Sequence, residues 1–196
     1  ANDALPLWDA LIEAGTPYGI VPTGMLALDV ARIEAGLMLL DVDYVPARKA
    51  LTASQTSSPY ELDLAWTVNL DKDYFVGKGA LAAESQREPE WQFVGIEVDW
   101  DALERLYAEV GLAPQLPATA WRMSVPIYAE GKQAGYATSG GWSPLLKKYV
   151  TLAHLRAPWA RPGTQLDMEI TVEHRRKRAA ARVVKKPFFD PERKRS

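Results

Sequence analysis

The sequence predicts an α+β protein in which an α+β front part precedes a small antiparallel β-barrel. Two observations support this prediction. Apolar residues near the start recur at the spacing of an amphipathic helix, namely Leu7, Trp8, Leu11 and Ile12. After Ala120, short β-type runs alternate with turn residues at hairpin spacing, which is typical of a small closed sheet. We place the boundary near Trp91, so that residues 1–90 form one domain and residues 91–196 the barrel domain.

The front part is expected to begin with two helices. Asp3 can cap the first and Gly15 can end it, while Thr23 can cap a second helix that ends near Gly36. The segment Asp41–Tyr60 is polar and rich in Ser and Thr. A structureless loop of this length inside a compact domain is often functional.

Three further elements are predicted around the boundary. Alternating apolar residues predict a half-buried strand over Leu64–Leu70, and Gly79–Gln86 favours a short helix. Phe93–Val98 has the composition of another strand. A helix that starts at Asp99 or Asp101 then leads into the remaining strands.

The barrel is expected to contain five more strands. They are predicted at Arg122–Ala129, Gln133–Thr138, Lys148–Leu155, Gln165–Glu173 and Ala180–Val184. Turns are predicted at Glu130-Gly131, Gly140-Gly141, Pro162-Gly163 and Arg175–Arg178. The glycines of Thr138–Gly141 are interpreted as turn residues, because no lysine and helix follow them as in a phosphate-binding loop.

Composition excludes several classes of function. The chain has 196 residues, a formal net charge of −2 and no cysteine, which excludes disulfides, thiolate metal sites and a cysteine nucleophile. No apolar run is long enough to span a bilayer, so we expect a soluble, cytoplasmic protein that binds neither membrane nor nucleic acid. The basic runs Arg175–Arg178 and Arg193–Arg195 lack interleaved aromatic residues and are interpreted as solvated charge. His154 and His174 are too far apart in sequence to suggest a metal site.

Glu34 is the first candidate functional residue. A carboxylate in the last turn of a helix faces the negative end of the helix dipole, at a cost of about 0.3–1 kcal/mol. The residue is therefore either a ligand-binding group or a surface glutamate paired with a cation such as Arg32.

Four motifs, in order along the chain, carry a resemblance to a known family. They are ALDVARIEAG at 27–36, YATSGGWSPLLKKYV at 136–150, ARPGTQLDMEI at 160–170 and VVKKPFFDP at 183–191. In this order they resemble the folate-dependent aminomethyltransferases, which include the glycine cleavage T-protein and related tetrahydrofolate-dependent demethylases. The resemblance covers nearly the whole chain, from about Leu7 to Pro191.

The resemblance implies a fold, a cofactor and candidate site residues. It implies that residues 1–90 are the C-terminal part of a ferredoxin-like α+β domain and that tetrahydrofolate is the cofactor. Glu34 matches the glutamate that binds the pterin ring, and Arg122 matches an arginine that faces the benzoyl-glutamate side. Without the resemblance, Arg122 is equally well interpreted as a barrel-edge arginine in a surface ion pair. Trp66 has a weaker claim through stacking on the cofactor, since a strand tryptophan is more often a core residue. Tyr44 and Lys72 are weaker candidates in the same neighbourhood.

The resemblance also implies that this chain is the C-terminal half of a longer enzyme. Family members are about twice as long, and their catalytic aspartate lies in the front half, so no catalytic residue is identified here. Asp29, Asp41 and Asp43 do not match that aspartate. We expect a preceding N-terminal half, in the same chain or a separate one, and a small or carrier-bound donor of an aminomethyl or methyl group. The alternatives are a folate-binding module without catalysis and a structural domain of a larger demethylase.

Overall fold

The structure is a computed structural model that describes residues 2–192. The helices are α1 (Ala4–Gly15), α2 (Met25–Glu34), α3 (Lys78–Glu84) and α4 (Trp100–Ala108). The strands are β1 (Trp91–Val98), β2 (Val125–Ala129), β3 (Lys132–Ser143), β4 (Lys148–Arg156), β5 (Gln165–Val172) and β6 (Arg175–Val184). None of the helices within this range combines the length and apolar character needed to cross a bilayer.

The six strands close into an antiparallel barrel in the order β1-β4-β3-β2-β5-β6, with β6 pairing back to β1. Small and branched apolar side chains alternate with polar ones along the strands and fill the interior, as in β5, where Leu166, Met168 and Ile170 are buried. Closure leaves no unpaired sheet edge in the barrel, so its backbone groups are satisfied internally. The predicted barrel is confirmed.

Helix α4 packs against this core. Asp99 caps the helix by accepting a hydrogen bond from the Ala102 backbone N–H at 2.7 Å. Leu103 is fully buried and Tyr107 nearly so, while the exposed face carries charged residues. The N-cap is at Asp99 and the apolar residues that follow it face the core, so the predicted start at Asp99 is confirmed.

Helix α2 lies on the outside of the barrel, against β3 and β4. Ile33 of the helix packs with Phe93, Val150 and Leu152 in a small second apolar cluster. Gly36 follows the helix with a φ of 68°, a left-handed conformation that ends helices and favours glycine. The barrel wall therefore fixes the end of α2 that carries Glu34.

Helix α1 has no comparable support. None of its residues is buried; Leu7, Trp8 and Leu11 are more than half exposed, and Ile12 is half-buried. Its bounds match the prediction, but Asp3 makes no side-chain capping bond. At α2, Thr23 does not cap the helix, because Gly24 takes the N-cap position and makes no side-chain bond.

The strand predicted over Leu64–Leu70 is wrong. Ala65–Thr67 is instead a single 3-10 turn, closed by local hydrogen bonds from Thr67 N to Leu64 O and from Val68 N to Ala65 O. A strand needs a neighbour for its backbone groups. Within residues 2–90 the structure contains no strand that could supply one, so the backbone closes on itself.

Two of the predicted turns are wrong as well. Gly140-Gly141 lies inside β3, which runs through to Ser143 with a bulge between Ala137 and Ser139. Arg175–Arg178 belongs to β6, and the β5–β6 turn is at Glu173-His174, with φ of 47° and 61°. A two-residue hairpin loop with two positive φ values matches the twist of the flanking strands.

Candidate functional site between helix α2 and strand β3

A buried network of charged side chains joins α2 to the barrel. Arg32 of α2 donates from Nε to Asp29 Oδ1 at 3.0 Å and from Nη1 to Asp43 Oδ2 at 2.6 Å. Its Nη1 also donates to Ser139 Oγ of β3 at 2.9 Å. Both aspartates are almost fully buried, so water solvates their negative charges poorly. The positive charge of Arg32 provides the stabilisation that water would otherwise give.

Asp43 is held from every side. Its Oδ2 also accepts from the Leu39 backbone N–H at 2.7 Å, and its Oδ1 accepts from the hydroxyls of Thr138 at 2.5 Å and Ser139 at 2.7 Å. The polar loop after α2 is therefore attached to β3 through the Thr138–Gly141 stretch. The hydroxyls of Thr138 and Ser139 in this stretch bind a carboxylate of the same chain.

His154 of β4 completes the attachment. Its Nε2 lies 2.6 Å from the backbone carbonyl of Asp43, and because a carbonyl oxygen only accepts, Nε2 carries the proton. Burial lowers the pKa of His154, although the hydrogen bond to Asp43 and nearby carboxylates act in the opposite direction. The ring also packs on Phe93 and Tyr136. It is a packed histidine, one of the two states that the sequence predicted for it.

Arg122 reaches this network from the barrel side. Its Nε donates to Asp29 Oδ2 at 2.8 Å, so Asp29 takes one guanidinium on each oxygen. Burial by itself would raise the pKa of Asp29, but the hydrogen bonds and charges of Arg122 and Arg32 outweigh it and lower the pKa below its ordinary value. In contrast to Asp29, the Arg122 side chain is 46% exposed.

A glycine of β3 explains why Arg122 lies where it does. Trp121 forms a β-bridge with Gly140, with backbone hydrogen bonds of 2.8 and 3.1 Å in the two directions. A Cβ at position 140 would lie 2.6 Å from the Trp121 ring and 2.8 Å from the Val150 carbonyl oxygen. The glycine thus lets the segment before Arg122 lie directly on β3, which aims this arginine at α2.

Glu34 lies at the other end of the same helix. Its Oε1 accepts from Ser143 Oγ at 2.5 Å, and its backbone carbonyl accepts from the Phe189 N–H at 2.9 Å. The residue is buried, so it is not a surface glutamate, and its carboxylate is not paired with Arg32. Within the described residues, Ser143 is the side chain that donates a hydrogen bond to this carboxylate.

The C-terminal segment holds this end of α2 in place. Gly36 lies against Lys186, with only 3.2 Å between an added Cβ and the Lys186 Cβ. Lys186 in turn pairs with Asp63 at 3.3 Å and lies over the Phe93 ring at 4.2 Å. The VVKKPFFDP motif therefore fastens the helix end that carries Glu34 to the barrel.

The space beside Glu34 is narrow. It is bordered by α2, β3 and β4 and holds about 170 Å³ of empty volume, without room for a sphere the size of water. Arg122 does not line this gap, although both residues are attached to α2. A role for the two residues at one common ligand stays a prediction.

Two of the weaker candidates, Trp66 and Lys72, lie away from this junction, whereas Tyr44 borders it. Trp66 is 82% exposed on the 3-10 turn, and Lys72 is exposed beside a shallow pocket near Phe75. Tyr44 is half-buried next to Asp43, and its backbone carbonyl accepts from Asp41 N at 3.0 Å. Within residues 2–192 no hydrogen bond or ring contact joins Trp66 to Glu34 or Arg122.

Sequence reasoning missed the three side chains that organise the site. Asp29 and Ser139 lie inside two of the motifs but were not assigned a role there, and Asp43 lies outside the motifs. The contacts from Arg32 to Ser139 and from Thr138 to Asp43 join residues about a hundred positions apart. One signal was readable: Asp29 and Arg32 stand three residues apart on a helix, a spacing at which opposite charges pair.

The features interpreted as non-functional give no site either. His174 lies in the exposed β5–β6 turn, and Arg175–Arg178 is a mostly exposed strand segment in which Arg178 covers the Tyr128 ring at 3.6 Å. The other basic run, Arg193–Arg195, lies outside the described residues. Across the part of the chain that is described, no group of three or more His, Asp or Glu side chains is arranged to hold a metal ion.

Two family models match the chain. One is described as the glycine cleavage T-protein C-terminal barrel domain and matches residues 109–190. The other is described as the GCVT N-terminal domain and matches residues 1–72.

Curated relatives and a solved structure agree with these matches. An aminomethyltransferase of Shouchella clausii is 34% identical over 96% of this chain and 44% of its own length. A probable aminomethyltransferase of Pyrococcus horikoshii is 30% identical over 96% of this chain and 42% of its own length. The glycine cleavage system aminomethyltransferase T of Bartonella henselae has the same fold, with a TM-score of 0.70, 24% identity, and coverage of 95% of this chain and 44% of that one. The chain thus spans less than half the length of these relatives.

Proposed function

Since this chain belongs to the glycine cleavage T-protein family, we propose that it forms part of a tetrahydrofolate-dependent one-carbon transferase. In this proposal it is the C-terminal half of the enzyme and binds one face of the folate cofactor. The group transferred is an aminomethyl or methyl carbon from a small or carrier-bound donor. Residues 1–90 are the end of the folate-binding domain, and residues 91–196 are the barrel domain.

One observation carries the proposal: α2 is attached to both candidate ligand-binding residues. Glu34 belongs to the helix, and Arg122 is bound to it through Asp29 at 2.8 Å. Asp29 and Glu34 are five residues apart, which is about 7.5 Å along a helix axis. The two positions also differ by about 140° around the helix axis, so a ligand that contacts both Glu34 and Arg122 must curve around α2 and not lie along one of its faces.

The two residues suit the two ends of a folate. A pterin ring presents an N–H beside an exocyclic amine, and a carboxylate can accept from such a pair. The glutamate tail of a folate is anionic, and a guanidinium matches a carboxylate with two parallel N–H groups. We propose that Glu34 binds the pterin and Arg122 the tail. A rearrangement is required at Glu34, because the gap beside it does not admit water in this structure.

The exposed apolar face of α1 supports the proposal that more protein packs here. Leu5, Leu7, Trp8 and Leu11 are between 51% and 75% exposed. Apolar faces of this kind mark interaction surfaces. An N-terminal half of the same enzyme, in the same chain or a separate one, would cover this face and supply the catalytic aspartate.

A second candidate function is a folate-binding module without catalysis. It rests on the catalytic aspartate, which the resemblance assigns to the front half of the family; Asp29 and Asp43, both engaged by guanidinium groups, do not replace it. Neither is available to orient a reacting carbon. Addition of the N-terminal half of a relative separates the two functions: transfer activity supports the split enzyme, and folate binding without turnover supports the module.

Calorimetric titration with 5-formyltetrahydrofolate tests the shared part of both proposals. Glu34→Gln should weaken binding about 10- to 100-fold, because a hydrogen bond to a charged group contributes about 1.5–3 kcal/mol. Glu97→Gln is the matched control, because Glu97 is a partly buried glutamate on the barrel wall that pairs with Lys148 and Arg182. Equal affinities of wild type and Glu34→Gln would show that Glu34 does not bind the ligand.

A further inference from the structure

We propose that Asp29 is a positioning residue, which holds Arg122 by its Nε–H so that Nη1 and Nη2 face outward and bind a ligand carboxylate. This inference rests on the proposed folate function and adds to it a residue that selects for the anionic tail. Asp29 itself touches no ligand in this arrangement.

The geometry at Asp29 divides its two oxygens between two cations. Oδ1 accepts from Arg32 Nε at 3.0 Å and Oδ2 from Arg122 Nε at 2.8 Å. Asp29 is 5% exposed, so its carboxylate has little access to water and depends on these two partners. Hydrogen bonds between ionised groups are the stronger and more directional kind.

Arg32 prevents Asp29 from turning. Its Nη1 is bound to Asp43 at 2.6 Å and to Ser139 of β3 at 2.9 Å, which fixes the guanidinium plane against the barrel. A fixed Arg32 fixes Oδ1 of Asp29, and Oδ2 is then held at the position from which Arg122 is bound. The orientation of Arg122 is set by a chain of contacts that ends on a barrel strand.

The remaining edge of Arg122 is available. Asp29 is the acceptor recorded for this guanidinium within the described part of the chain, and it uses Nε alone. Nη1 and Nη2 present parallel N–H groups on a side chain that is 46% exposed. Two parallel N–H groups form the bidentate pattern that recognises a carboxylate.

Holding Arg122 in place has a consequence for affinity. A free arginine on a surface samples many rotamers, and a ligand that binds it must order the side chain. Asp29 removes part of this cost before the ligand arrives, which is the general advantage of preorganisation. Loss of Asp29 should therefore weaken ligands that have the tail carboxylates and leave ligands without them unaffected.

The test compares two ligands, 5-formyltetrahydrofolate and the corresponding 5-formyltetrahydropteroate, which lacks the glutamate tail. Asp29→Asn should lower the affinity for the tailed ligand about tenfold, the effect of one weakened charge-assisted contact, with the tail-less ligand changed less than about twofold. Arg122→Met, which leaves Asp29 paired with Arg32, should give the same loss of selectivity. Asp41→Asn, at an exposed aspartate paired with Lys49, is the matched control and should bind as wild type.

The hydrogen bond that positions Arg122 can also be measured without a ligand. The Arg122 Nε–H should exchange slowly with solvent in the wild type and rapidly in Asp29→Asn, as seen by NMR. Equal weakening of both ligands, or unchanged exchange at Nε, would overturn the positioning role and leave the folate function standing. A wild-type chain that binds neither ligand would overturn the folate function and with it the ligand role of Arg122.

Discussion

Residues 2–90 and the barrel that starts at Trp91 differ in where they put their apolar side chains. Among the described residues, Ile33 and Leu62 are the buried apolar ones before Trp91, while every barrel strand contributes to the main core. The front region instead exposes large apolar groups, including Trp8, Met25 and Trp66.

This difference shows which contacts stabilise each region. The six strands of the barrel pair with one another in a closed ring and enclose a core within about a hundred residues. The barrel therefore needs no strand from the front region. The front region is held to it at a junction where α2 packs through Ile33 and the buried charges of Asp29, Arg32 and Asp43 meet β3. Further contacts join Glu61 to the Phe93 backbone and Asp63 to Lys186. Both candidate ligand residues lie at this junction.

The largest expected effect is at Arg32. Arg32→Met leaves the buried Asp43 without a cation and should reduce the free energy of unfolding by about 3–5 kcal/mol, or release α2 from the barrel. Hydrogen exchange should then increase in α2 far more than in β4. Arg182→Met, at an exposed pair with Glu97, is the control and should cost less than about 1 kcal/mol in urea unfolding. Similar costs for the two variants would contradict a special role of the junction.

The next largest effect is expected for a Leu→Ala substitution, made once in the barrel core and once on helix α1. Leu155→Ala in the fully buried core should cost about 2–5 kcal/mol, because it removes apolar contacts and leaves a cavity. Leu11→Ala on the exposed face of α1 should change the stability of this chain by less than about 0.5 kcal/mol. Urea unfolding of both variants measures the difference. A large cost at Leu11 would mean that the front region has a core of its own.

The smallest effect is a dependence of stability on pH. Burial lowers the pKa of His154, so the unfolded chain binds a proton more readily than the folded one. Stability is then complete above about pH 6.5, the ordinary pKa of histidine, and decreases as the pH falls below it. His154→Gln should flatten this decrease, while His174→Gln, in an exposed turn, should leave it unchanged. Identical pH profiles for the two variants would exclude His154 as the cause.

The barrel was the predictable part of the fold, for a physical reason. Alternation and turn residues are local signals, and β1, β2, β4 and β5 lie close to where they were predicted. The glycine pair at 140–141 was assigned to a turn because local pattern does not show the Trp121 backbone that crosses it. The strand at Leu64–Leu70 failed for the opposite reason, since its pattern was suitable but this chain offers it no partner strand.

The site was predictable only in its outline. The family resemblance pointed to Glu34 and Arg122, but their surroundings depend on contacts between residues far apart in sequence. Glu34 meets Ser143, and Arg122 meets Asp29, across about a hundred residues each. Such contacts follow from packing of α2 on β3, which no local spacing encodes.

The most direct test of the whole account is a crystal structure of this chain with 5-formyltetrahydrofolate. We expect the pterin ring on Glu34, the tail carboxylate on Nη1 and Nη2 of Arg122, and the bond between Arg122 Nε and Asp29 retained. A ligand that contacts neither residue, or Glu34 and Arg122 facing separate spaces with the cofactor elsewhere, would contradict it.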